Sequence, residues 1–123
     1  MIFKKLLEIP EILAGDHTHL KEVLHPSNDP VSIGYSLAYA YLKKGEASLP
    51  HQLTYSETYY FLSGKGEIFI DGKKQAVEAD DVVFVPPHAE QFVKNTGEND
   101  IKFLCIVSPP WSEETEKINN REE

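Results

Sequence analysis

Cys105 is the only cysteine in the chain, which excludes an intramolecular disulfide and a cysteine-built zinc knuckle and leaves a small apolar strand residue as its expected role. Long apolar runs are missing as well. Near the N-terminus only Leu6 and Leu7 separate Lys5 from Glu8, too little for the core of a signal peptide or for a membrane span. A cytoplasmic protein with no membrane partner is therefore expected. Basic residues are scarce, 12 against 20 acidic, and the net charge of −8 argues against nucleic acid, whose binding needs clustered Lys and Arg to displace counterions. With 123 residues, 41% of them hydrophobic, the chain has material for one compact core and not for two.

No segment between the apolar stretches carries a helical period, and what is present is short alternation punctuated by turns. Val31, Ile33, Tyr35, Leu37, Tyr39 and Tyr41 recur at every second residue, the pattern of a long half-buried strand. Its other face carries Ser32, Gly34, Ser36, Ala38 and Ala40, small enough for another layer or a ligand to approach closely. Strands are expected over Ile33 to Leu42, Glu57 to Leu62, Val82 to Val85, Gln91 to Lys94 and Ile101 to Val107. Asp71-Gly72 between Ile70 and Gln75 is a two-residue hairpin signal. Strands at this spacing predict an all-β fold, an antiparallel jelly-roll β-barrel that closes its edges and has room inside for a small-molecule pocket.

Gly45, His51, Glu57 and Gly64 stand at the spacing G-x5-H-x5-E-x6-G. His51 and Glu57 are poorly placed to be helix neighbours but can project into one cavity from two strands joined by a turn. An imidazole nitrogen and a carboxylate oxygen suit zinc, iron, manganese or nickel better than calcium. Further on, Pro86, Gln91 and Asn95 fit P-x4-Q-x3-N, and Gln91 offers a third ligand through its amide oxygen.

Together the stretches GEASLPHQLTYSETYYFLSG and DDVVFVPPHAEQFVKN resemble the paired motifs of the cupin superfamily, G-x5-H-x-H-x3-4-E-x6-G and G-x5-P-x-G-x2-H-x3-N, with the fifteen residues Lys65 to Ala79 as a short connection. The first motif is filled at four of its five defined positions; the second keeps only its Pro and Asn. Leu53 stands where the family carries its second histidine and Gln91 where it carries the last, so the resemblance implies a small monocupin with a reduced metal site of His51, Glu57 and Gln91. It also implies a barrel with the site inside and a default homodimer.

Strand parity places Leu53 on the face of His51, Tyr59 and Phe61 on that of Glu57, and Val93 on that of Gln91. Leu53, Tyr59, Phe61 and Val93 are thus the expected lining of a largely apolar ligand pocket. Residues 1–30 are read as an arm packing on the barrel or on a second subunit, 31–110 as the barrel and 111–123 as an acidic, solvated tail in which Ser112 caps a short helix. His88 is expected on a loop, and His17, His19 and His25 at the surface. Two functions fit: a metal-dependent enzyme of the sugar isomerase or dioxygenase type, and a metal-free module that binds a carbohydrate or other small polar ligand without catalysis.

Overall fold

The computed structural model describes residues 1–119. Eleven strands carry the fold: β1 (Ile12–Leu13), β2 (His19–Leu24), β3 (Ser36–Leu42), β4 (His51–Leu53), β5 (Ser56–Ser63), β6 (Lys65–Ile70), β7 (Lys73–Glu78), β8 (Val82–Val85), β9 (Gln91–Asn95), β10 (Ile101–Ser108) and β11 (Glu116–Ile118). They form two antiparallel sheets, a six-stranded one in the order β1-β2-β3-β10-β5-β8 and a five-stranded one in the order β11-β4-β9-β6-β7. The sheets enclose a core in which Phe61, Phe103, Leu42, Ile68, Ile101, Val85 and Val93 are fully buried. No helix among the described residues is long and apolar enough to cross a membrane.

Local chemistry explains the turns. Asp71 and Gly72 both have positive φ, 49° and 82°, as a tight hairpin between β6 and β7 requires. Gly64 turns β5 into β6 at φ 87°, and a Cβ there would lie 2.4 Å from the Asp100 carbonyl oxygen, so both the backbone angle and the space demand glycine. Asn95 ties the loop before β10. Its Nδ2 donates to the carbonyls of Leu42 and Asn99, each at 2.9 Å, and its Oδ1 accepts from the Gly97 amide.

Three features differ from the sequence expectation. β3 begins at Ser36 and not at the expected Ile33; along it the small face, Ser36 and Ala40 with Leu42, is buried, while Leu37, Tyr39 and Tyr41 are half-buried on the other side. The segment from 111 onward is not a solvated tail as far as it is described: Ser112 and Thr115 form a capping box around a 3-10 turn at Glu113–Thr115, and β11 pairs with β4, which would otherwise expose an unpaired edge. The rest of that expected tail, residues 120–123, lies outside the described residues. At the other end β2 pairs with β3 within the six-stranded sheet, and His25 is buried, its Nε2 2.6 Å from the Trp111 carbonyl oxygen.

Candidate functional site

A cavity of about 500 Å³ opens between the sheets. His51 lies on its wall at 2% exposure, fixed by an Nδ1 hydrogen bond to the Leu49 carbonyl at 2.9 Å. That bond makes Nδ1 the protonated nitrogen and leaves the Nε2 lone pair directed elsewhere, the arrangement in which histidines ligate metals. Nε2 is 3.7 Å from Oδ2 of Asp16. Asp16 is held in turn: its Oδ1 accepts from the Thr18 amide and hydroxyl, and its carbonyl accepts from the Leu49 amide at 2.7 Å.

Glu116 arrives from β11, where it pairs directly with Leu53 while Ile118 pairs with His51. The Trp111 indole donates to its Oε1 at 3.2 Å. One donor atom from each of Asp16, His51 and Glu116 lies within 4.8 Å of the other two, a grouping able to hold a metal ion. Glu57 of β5 also lines the cavity, 6% exposed, with Oε1 lacking any hydrogen-bond partner among the described residues.

Burial and charge pull against each other in this cluster. Burial pushes the Glu57 carboxyl up to about 7; His51 opposes the rise and Asp16 adds to it. For His51 burial disfavours the charged ring, but the carboxylates of Asp16 and Glu57, the Leu49 carbonyl and Glu116 together outweigh it and raise its pKa. Burial also raises Glu116, against His51. The Cys105 thiol, buried beside Glu57, is pushed well above the ordinary range and is no nucleophile.

His51, Leu53, Glu57, Tyr59 and Val93 line the cavity as their strand parity predicts. Phe61 and Gln91 are not among the residues lining it. Phe61 stacks on Tyr59 at a ring-centroid distance of 5.9 Å and lies tilted against Phe103 at 5.5 Å, and those two rings line the cavity in its place. Gln91 is inward at 1% exposure and pairs with His51 across β4 and β9, yet its Oε1 accepts the Tyr59 hydroxyl at 2.5 Å. His88 is exposed on its loop. Asp16 and Glu116 lie outside both motif stretches. Their only signal in sequence is the deficit at Leu53 and Gln91, and nothing local separates Glu116 from Glu113 and Glu114.

The family model described as Cupin domain matches residues 38–107, the stretch from β3 to β10. The chain belongs to the cupin family. Among cupin relatives, an uncharacterized protein of Methanocaldococcus jannaschii is 33% identical over 112 residues, covering 90% of this chain and 89% of that one. The oxalate-binding protein of Thermotoga maritima is 35% identical over 51 residues, 42% of each chain. A predicted oxalate decarboxylase of Thermotoga maritima, a solved structure, superposes at a TM-score of 0.76 with 22% identity, covering 88% of this chain and 99% of that one, a likeness of fold.

Proposed function

We propose that this cupin binds a small molecule in its cavity with the help of a divalent metal held at His51. The observation that carries the reading is Glu57: a carboxylate oxygen buried without a partner is costly, and it lies on the same cavity as an imidazole oriented with Nε2 towards carboxylates. His51, Asp16 and Glu116 supply one nitrogen and carboxylate oxygens, a donor set that fits zinc, iron, manganese or nickel. The motifs imply Glu57 and Gln91 as ligands beside His51. Because Tyr59 already occupies the Gln91 amide oxygen, Asp16 and Glu116 are the better candidates for the two positions left by the missing histidines.

The grouping of Asp16, His51 and Glu116 does not include Glu57, which is therefore assigned to the ligand instead of the metal. When bound, the metal would polarise a carbonyl or hydroxyl oxygen. Glu57, whose burial favours the protonated carboxyl, is suited to take and return a proton, while Leu53, Tyr59 and Val93 hold the apolar part of the ligand. One nitrogen donor among oxygens departs from the two-histidine, one-carboxylate pattern of non-haem iron oxygenases, which favours proton transfer of the isomerase type over oxygen chemistry. The homodimer implied by the resemblance belongs to the same proposal, since Phe3, Leu7, Ile12 and Leu13 are exposed. Sedimentation that shows only monomer would remove it.

Elemental analysis of untagged protein purified without added metal tests the function. Stoichiometric zinc, iron, manganese or nickel is expected. Protein that is clean of metal and takes up none of the four on titration would leave the metal-free binding module in its place.

A further inference from the structure

The charges lining the cavity are one-sided. Asp16, Glu22, Asp29, Glu57 and Glu116 face it, and among the described lining residues the only lysine or arginine is Lys4. Lys4 is committed: its Nζ is 2.8 Å from Asp29 Oδ1 and also donates to the Val23 carbonyl. Asp29 therefore neutralises the lysine that an entering anion could pair with, and Asp16 stands 3.7 Å from Nε2 of His51, the other basic group on the described wall. At the centre, the two charges of a divalent ion would be offset by Asp16 and Glu116, before Glu57 is counted. The family motif, with three histidines and one glutamate, would leave a bound divalent ion net positive and attractive to an anion. The remaining wall is apolar, with Leu13, Leu20, Leu53, Val93 and Phe103 and the ring of Tyr59.

We propose that the cavity selects a neutral, largely apolar small molecule bearing a hydroxyl or carbonyl oxygen and rejects carboxylate anions, oxalate included, because Asp16 and Glu116 stand where histidines would have left positive charge. Glu57 supports a ligand there independently of the acidic cluster: its Oε1 is buried, unpartnered and on the cavity wall, placed to hydrogen-bond a ligand oxygen. The inference rests on the small-molecule reading above but not on metal occupancy, since without metal the carboxylates remain on the wall and His51 is matched by Asp16. Oxalate, the ligand in the name of the Thermotoga relative, is thereby not expected to be shared.

The test is calorimetric titration of the full chain, metal-free and saturated with manganese, with oxalate and with the matched set benzoate, benzamide and benzylamine. Benzamide is expected to bind at least tenfold more tightly than benzoate in both forms, and oxalate not to bind at millimolar concentration. Glu116→Gln, saturated with manganese, should gain at least tenfold in oxalate affinity; if it fails to load, Asp16→Asn serves instead. Oxalate binding to wild type, no gain in the variants, benzylamine as the tightest probe, or no binding by any of the three ring compounds would each overturn the proposal. Failure of manganese to load wild type would count against the metal reading alone, because the metal-free titrations still report the charge selection.

Discussion

Every member of the buried apolar cluster, from Ala40 to Cys105 and including Phe61, Ile68, Ile101 and Phe103, lies within residues 38–107, the stretch shared with the family. The flanking segments contribute differently. From residues 12–24 and 111–118 come the buried Thr18, the carboxylates of Asp16 and Glu116, and the indole that orients Glu116. The family stretch thus supplies the buried apolar cluster and places His51 and Glu57 on the cavity wall, whereas the flanks add the carboxylates of Asp16 and Glu116, which on the proposed reading set what the cavity holds. Stability and site chemistry should then respond to different substitutions.

The largest effect is expected at Phe61. Truncating it to alanine removes a ring packed against Tyr59 and Phe103 and should cost about 3–5 kcal/mol in urea unfolding, with metal uptake per folded molecule unchanged. Loss of metal uptake at full folding would break the separation. A pH series comes next. In the folded chain Glu57 titrates at about 7 instead of 4.5, so the native state holds its proton more tightly than the unfolded state does. The stability this contributes is fully present below pH 4.5 and is lost as pH rises through 7, about 3 kcal/mol in all, and the raised His51 pushes in the same direction. Thermal unfolding of metal-free protein should therefore move to lower temperature between pH 5 and 8, and added zinc should remove most of that decline. A flat profile without metal would contradict the buried position of Glu57.

Smaller effects sharpen the comparison. Asn95→Ala strands the partners of a buried amide and should cost about 2–3 kcal/mol without altering metal affinity. Tyr59→Phe removes the hydroxyl that occupies Gln91 and should cost about 1 kcal/mol, read from the urea midpoint.

Much of the barrel was legible because its rules are local. Asp71-Gly72 marks a hairpin by backbone angle, and the period-2 runs at 56–63 and 101–108 alternate in burial as written. Parity alone put His51, Glu57 and Gln91 on inward faces. At β3 it separated a half-buried tyrosine-rich face from a small one without saying which of them the opposite sheet accommodates, and the small face points inward. It was also silent on depth along a strand, so Phe61 and Tyr59 read alike although only Tyr59 reaches the cavity. Glu116 was the hardest residue to foresee: its role depends on β11 pairing with β4 some sixty residues away in sequence, and among neighbouring acids no periodicity marks the one that turns inward.

The claim that flanking carboxylates complete the centre is tested most directly by isothermal titration of zinc into wild type, Asp16→Asn with Glu116→Gln, and Gln91→Ala. One site per chain is expected in wild type and in Gln91→Ala, with at least a hundredfold loss of affinity in the double variant while its urea midpoint stays close to that of metal-free wild type. Wild-type affinity in the double variant, with binding lost in Gln91→Ala, would show that the metal is held by the residues of the family stretch alone.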